Sequence, residues 1–102
     1  MGEERRYYVV VRKPGAAWDH SRSMREQDGW QAHADFMDGL AEEGFVRLGG
    51  PIGDGNRFLH VIDAVDGSEI ERRLDEDPWA DAMLVTASIE PWTILLRAGA
   101  AP

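Results

Sequence analysis

Apolar positions recur along this chain with two different periods, about two residues in some segments and about 3.6 residues in others. Segments rich in β-branched and aromatic residues, bounded by Gly, Pro and Asp, predict four strands. These strands are predicted over residues 6–12, 45–52, 57–65 and 82–96. The Gly-Asp-Gly-Asn sequence between the second and third strands has the chemistry of a hairpin turn, so these two strands should pair directly.

Two of the segments between these strands have helical spacing. The first helix is predicted to begin near Met24, or later because Gly29 intervenes, and to end at Glu43. The second is predicted to begin with a capping box at Ser68 and to end at Asp77, which precedes a proline. The elements therefore follow one another in the order β-α-β-β-α-β.

This order predicts the ferredoxin-like α+β fold, an antiparallel sheet with helices on one face. The uncovered face of such a sheet is normally polar. Here both faces are apolar, because Val9 and Val11 alternate with Val10 and the third strand behaves in the same way. A second copy of the chain is the simplest cover for the free face, so the sequence predicts a homodimer.

Length and composition indicate one globular domain of 102 residues, with 43% hydrophobic and 29% charged side chains. No apolar run approaches the roughly 20 residues of a membrane span, and the charged start lacks the apolar core of a secretory signal. The net charge of −8 argues against a nucleic-acid partner. Cysteine is absent, which excludes disulfides and thiolate ligands. We therefore expect a cytoplasmic protein without membrane or nucleic-acid partners.

A histidine interrupts the apolar stripe of the first helix. At about 100° per residue, one arc of the helix surface holds Trp30, Phe36, Met37, Leu40 and Ala41. His33 falls within this arc. It is either a core histidine with hydrogen-bonded ring nitrogens or a general acid or base held in an apolar pocket. Periodicity alone does not separate these two interpretations.

Two further residues have both a structural and a functional interpretation. Asp77 precedes Pro78, a common start for a helix or turn, and a capping carboxylate keeps one oxygen free to orient an imidazole. His60 alternates with Phe58 and Ile62 and should face an apolar side of the sheet. The spacing of the histidines matches neither HxH nor HExxH, so no metal site is predicted.

Three segments together resemble the YciI-like, or YCII-related, domain: HADFMDGLAEEGFVRLGGP at 33–51, DEDPWA at 75–80 and SIEPWTILL at 88–96. That family typically shows a histidine, an apolar helix, a glycine, a strand ending in Gly-Pro, an Asp-Pro-aromatic step and a last strand. The order and spacing of these motifs carry the resemblance over roughly residues 6–96, which leaves 97–102 as a predicted flexible tail.

The resemblance implies a ferredoxin-like subunit that forms a dimeric α/β barrel, with a His–Asp pair as its active site. The matching positions here are His33 and Asp77. An arginine that often precedes the family's histidine corresponds to Arg22 or Arg25. Relatives with known chemistry use the pair for proton transfer on small cyclic acids or phenols, including dehydrochlorination.

The sequence thus predicts an enzyme of the isomerase, lyase or dehydrochlorinase type that uses acid/base chemistry without a cofactor. Its ligand is expected to contact Trp30, Met37, Gly50, Pro51, His60 and Trp79. Arg12, Arg47 or Arg57 could receive the ligand's charge. Two alternatives are a non-catalytic barrel that binds a metabolite or assists a partner enzyme, and a cofactor-free monooxygenase.

Overall fold

Four strands and two helices follow one another in β-α-β-β-α-β order within residues 4–100, the part of the chain that the computed structural model describes. The elements are β1 (Arg6–Pro14), α1 (Trp30–Glu42), β2 (Val46–Ile52), β3 (Arg57–Ala64), α2 (Gly67–Leu74) and β4 (Leu84–Trp92). A short 3-10 helix, Met24–Glu26, precedes α1. Neither helix of this described part is long and apolar enough to cross a membrane.

The strands form one sheet in the order β2-β3-β1-β4, and each neighbouring pair is antiparallel. This confirms the predicted α+β class, and the arrangement is compatible with a ferredoxin-like fold. The hairpin between β2 and β3 closes with a hydrogen bond from the Gly55 amide to the Ile52 carbonyl. The central position of β1 and β3 follows from their apolar character on both faces.

One face of the sheet carries the main core. Val10 of β1 and Ile62 of β3 are completely buried there and belong to one cluster with Leu40 of α1 and Ile70 of α2. The alternate residues of both strands point to the opposite face, which neither helix covers. Its central apolar side chains are half-buried: Val9, Val11, Leu59 and Val61.

A second, aromatic-rich cluster lies beside the main core. Phe58, Trp79 and Leu84 are buried at its centre. Trp18 and Trp30 pack against Trp79, with ring centroids at 5.5 Å and 5.8 Å respectively. The Nε1–H of Trp79 donates to the Asp28 carbonyl at 2.7 Å, so the indole is held from both ends. This cluster attaches the long loop before α1 to the sheet.

The first helix begins at the later of its two predicted starts. Gly29 has a φ of 78°, in the left-handed region, and separates the 3-10 helix from α1. The buried side chain of Gln27 fixes the preceding loop, because its amide nitrogen donates to the Asp19 and Arg22 carbonyls at 2.7 Å and 3.1 Å. The segment from 15 to 29 is therefore an ordered connection.

The second helix differs from its prediction at both ends. Its N-cap is Asp66, which accepts a hydrogen bond from the Glu69 amide at 2.8 Å, and not Ser68. Glu69 in turn accepts from the Val65 amide at 2.9 Å, so the cap forms two residues earlier than predicted. The helix ends at Leu74, three residues before Asp77, and the chain continues as turns.

The last strand is shorter than predicted at both ends, since it spans Leu84–Trp92 and passes through Pro91 at the edge of the sheet. The predicted tail, 97–102, lies partly outside the described residues. In its described part Arg97 pairs with Ala100 in a turn, and the Arg97 guanidinium lies 5.5 Å from the centre of the Tyr7 ring. Its flexibility stays a prediction.

Candidate functional site

A cavity of about 360 Å³ lies between α1, β2, β3 and the turn after α2. His33 lines it together with all six residues that the sequence indicated as ligand contacts. These are Trp30, Met37, Gly50, Pro51, His60 and Trp79. Asp77 does not line the cavity, because it lies behind the His33 ring. Residues of α1, β2, β3 and the turn after α2 therefore meet at one space.

His33 closes the first turn of α1 and has 8% of its surface exposed. Its Nδ1 is 2.9 Å from each carboxylate oxygen of Asp77. The ring also stacks on the Trp79 indole, with centroids 4.1 Å apart and planes 10° from parallel. Two fixed contacts therefore hold the imidazole, one at its edge and one over its face.

Asp77 is positioned by the turn that Pro78 begins. Its Oδ1 accepts a hydrogen bond from the Trp79 amide at 2.9 Å, and its carbonyl accepts from the Ala80 amide at 2.8 Å. The carboxylate thus closes the turn and still reaches His33 with both oxygens. The structure brings together the two residues that the sequence pattern placed 44 positions apart.

Arg12 is a third member of this cluster, which the sequence had assigned only as one of three candidates for the ligand's charge. Its Nη1 donates to Asp77 Oδ2 at 2.8 Å, and both side chains are almost completely buried. It does not line the cavity. The signal for its inward orientation is strand alternation. Tyr8, Val10 and Arg12 are alternate residues of β1, and all three are buried.

Opposing effects act on the Asp77 carboxyl. Burial by itself raises its pKa, but hydrogen bonds from His33, the Trp79 amide and Arg12 together outweigh burial and hold the pKa below its ordinary value. The carboxylate is therefore charged at neutral pH and accepts hydrogen bonds only. The hydrogen between His33 and Asp77 must then belong to Nδ1 of the imidazole.

This tautomer leaves the lone pair of neutral His33 on Nε2. Within the described residues, Nε2 forms no hydrogen bond, and the ring is part of the cavity wall. An imidazole oriented in this way by a carboxylate is suited to accept a proton from a bound molecule and to return it.

His60 is the second imidazole in the cavity wall. Burial, followed by the positive charge of Arg12 and the charge that His33 carries when it is protonated, lowers the pKa of His60 to about 4, so the ring is neutral at pH 7. The nearby Asp77 charge and the Val10 backbone oppose this shift. Its Nδ1 is buried and has no hydrogen-bond partner among residues 4–100. Neutral His60 therefore adds no charge to the cavity wall at pH 7.

The other candidate arginines have different surroundings. Arg25 lines the cavity and lies over the Trp30 ring, 5.7 Å from its centre. Arg22 contacts Asp28 at 3.4 Å and lies outside this cavity. Arg47 also lines the cavity but is paired with Asp63 at 3.1 Å. Arg57 is exposed and lies outside the cavity. Arg25 is thus the cavity cation without a carboxylate partner among residues 4–100.

Among the described residues, no group of three or more His, Asp or Glu side chains is arranged to hold a metal ion. Comparisons with family models, with curated proteins and with solved structures each found no match to this chain.

Proposed function

We propose that this protein is a cofactor-independent enzyme in which His33 is the general acid/base and Asp77 orients it. The observation that carries the proposal is the contact between His33 Nδ1 and the buried Asp77 carboxylate, at 2.9 Å, on the wall of a cavity. This contact leaves Nε2 as the basic atom on the cavity side. A core histidine would need no such cavity beside it.

The proposed reaction begins when Nε2 of neutral His33 removes a proton from carbon. The carbon lies next to a carbonyl or beside a leaving group, and the bonding pair forms an enolate or expels the leaving group as an anion. The imidazolium that results is stabilised by the Asp77 charge and can return its proton to another atom. General acid/base catalysis of this kind contributes roughly 10²- to 10⁴-fold to a rate.

The cavity favours a small, flat cyclic acid or phenol. Its volume of about 360 Å³ is at the lower end of small-molecule sites. Trp30, Trp79 and Met37 supply apolar and aromatic surface, while Gly50 and Pro51 allow a ring to approach the β2 backbone.

Two groups in the cavity wall could recognise the polar atoms of such a ligand. Arg25, at the Trp30 side, is placed to receive a carboxylate or phenolate. His60 is neutral and offers a hydrogen bond to a ligand oxygen.

The resemblance to YciI-like domains supports the same assignment, since the family's His–Asp pair corresponds to His33 and Asp77. It also supports a homodimer in which the uncovered sheet faces of two copies pack together. The half-buried apolar side chains on that face, and Leu48 with 70% of its surface exposed, favour such packing.

Proton transfer is tested by exchange in D₂O. A panel of small cyclic keto acids, lactones and phenols is incubated with the protein, and loss of carbon-bound ¹H is followed by NMR. The chain is expected to accelerate exchange for at least one class of compound, and His33→Gln is expected to abolish that acceleration. His20→Gln is the matched control, because His20 is exposed and lies outside the cavity.

Equal exchange rates in the His33→Gln variant and the unaltered chain would overturn the assignment of the base. Tight binding of panel members without any exchange would favour the metabolite-binding alternative. Oxygen consumption with activated phenols would favour the monooxygenase.

A further inference from the structure

Arg12 is a buried cation that cannot touch a ligand in the cavity. Only 1% of its surface is exposed, and its guanidinium lies against Asp77, on the side away from the cavity wall. Its Nε has no hydrogen-bond partner within the described residues. Burying a guanidinium with an unpaired N–H is unfavourable for stability. This cost points to a role for the charge itself.

The charge of Arg12 changes how strongly Asp77 favours a proton on His33. A buried carboxylate without a cation would draw a proton onto the neighbouring imidazole, because the resulting ion pair is neutral overall. With Arg12 in contact at 2.8 Å, the carboxylate is already compensated. His33 can then remain neutral while it still donates Nδ1–H to Asp77.

We propose that Arg12 is a positioning residue, which acts through Asp77 to hold His33 neutral with its Nε2 lone pair towards the cavity. The consequence for catalysis rests on the proposed function above. The effect on the state of His33 does not, because it follows from the contacts of the three side chains.

Three donors from different parts of the fold fix the Asp77 carboxylate. Arg12 of β1 donates a hydrogen bond to Oδ2, and the Trp79 amide of the turn donates one to Oδ1. Nδ1 of His33, in α1, is equidistant from both oxygens. Rotation of the carboxylate would break at least one of these bonds. Arg12 therefore fixes the orientation of the acceptor as well as its charge.

Other charged and titratable groups surround the three. His60 of β3 is the nearby titratable group on the sheet, and it carries no charge at neutral pH. Arg25, Asp38 and Arg47 line the outer part of the cavity and are exposed. Solvent screens these rim charges, whereas Arg12 is a buried cation in direct contact with Asp77.

The test compares two substitutions. Arg12→Gln can still donate a hydrogen bond to Asp77 but lacks the charge, whereas Arg12→Lys keeps the charge with a single donor group. The ring nitrogens of His33 are followed by long-range ¹H–¹⁵N NMR across pH, which reports both tautomer and protonation.

In Arg12→Gln, His33 is expected to take up its proton at a pH higher by about one unit, since a charge at contact distance moves a titration by roughly one to three units. Arg12→Lys is expected to restore most of the original midpoint. Identical midpoints in the unaltered chain and in Arg12→Gln would overturn the proposal.

A measurement on the unaltered chain covers the case in which Arg12→Gln does not fold. The Arg12 Nη signals should shift with the same midpoint as the His33 ring, because both groups share Asp77. Arg12 signals that ignore the titration of His33 overturn the proposal.

The two proposals fail in different ways. Absence of any exchange activity, with the His33 midpoint still dependent on Arg12, would remove the proposed enzyme and leave the positioning role. Where exchange is found, its rate should fall at low pH, and Arg12→Gln should move this fall to higher pH. A normal pH profile in that variant would remove the positioning role and leave the enzyme.

Discussion

The imidazole of His33 lies flat on the indole of Trp79, with 4.1 Å between ring centroids. Trp79 is two residues after Asp77, and its amide donates to the carboxylate that holds the imidazole edge. A single turn therefore provides both the acceptor and the stacking surface for His33. Changes at Trp79 should consequently affect the site and the stability of the fold together.

Trp79→Ala is expected to destabilise the fold by roughly 3–5 kcal/mol, because Trp79 is 98% buried at the centre of the aromatic cluster. Urea denaturation followed by circular dichroism measures the change. Leu96→Ala is the control, since Leu96 is 81% exposed and should change the free energy of unfolding by less than about 0.5 kcal/mol. A loss below about 1 kcal/mol at Trp79 would contradict the packing described for this cluster.

Asp77→Asn is expected to destabilise the fold at pH 7 by roughly 3–5 kcal/mol, because it leaves the buried Arg12 charge without a partner. Urea denaturation at pH 7 measures this loss. Asp75→Asn is the control, since Asp75 is exposed two residues earlier.

The same substitution should also change the dependence of stability on pH. The folded pKa of Asp77 is lower than its ordinary value, so its contribution is present above that ordinary value and is lost as the pH falls through the folded pKa. Denaturation from pH 7 to pH 2 should show a smaller acid loss in Asp77→Asn than in the unaltered chain. Parallel curves would be inconsistent with an ionised Asp77.

His60 gives a separate window of pH dependence. Its folded pKa, lowered by burial to about 4, is below the ordinary value of 6.5, so the unfolded chain binds more protons between these values. The free energy of unfolding should therefore decrease as the pH falls from 6.5 towards 4. His60→Gln should flatten this part of the curve, and His20→Gln should leave it unchanged. An NMR midpoint for His60 near 6.5 would refute the explanation.

Gly49→Ala is expected to displace the His60 ring. A Cβ at this position would lie 2.9 Å from His60 Cδ2, closer than the ring can tolerate without moving. We expect a destabilisation of about 1–3 kcal/mol, measured by thermal denaturation. Gly50→Ala is the matched control on the same strand, because a Cβ there meets no atom within 4 Å. Equal melting temperatures for the two variants would contradict the contact.

The proposed homodimer is tested by sedimentation at micromolar concentration. The chain should sediment as a dimer, and Val61→Lys should shift it towards monomer, because this side chain is half-buried on the uncovered sheet face. Ser68→Lys adds the same charge at an exposed position of α2 and should leave the dimer intact. A monomer for the unaltered chain would exclude the proposed packing.

Local patterns along the chain are sufficient for the elements and for the direction of most side chains. Alternation predicts that Val10 faces away from Val9 and Val11 and that His60 shares a face with Ile62, which the structure confirms; the structure adds that this is the covered face. Helical spacing likewise turns His33 inward. These properties depend on residues two to four positions apart, so they can be read without knowing which segments meet.

Helix ends were predicted less well, because several residues compete for the same cap. Ser68 and Asp66 both precede a glutamate by three positions, and Asp66 forms the cap in the structure. Such a choice depends on where the preceding strand leaves the sheet, and β3 ends at Ala64. The sequence pattern alone does not carry this information.

The role of Arg12 depends on contacts between residues that are far apart in the sequence. It reaches Asp77 across 65 positions, and His33 reaches Asp77 across 44. The residue lies where the pairing between β1 and β4 shifts register, between Val11 and Arg12. Strand order, this irregularity and the turn at Pro78 together place a cation, a carboxylate and an imidazole in contact. Periodicity could assign His33 to the interior, but the meeting of the three required the folded chain, because electrostatic pairing acts through space and not along the sequence.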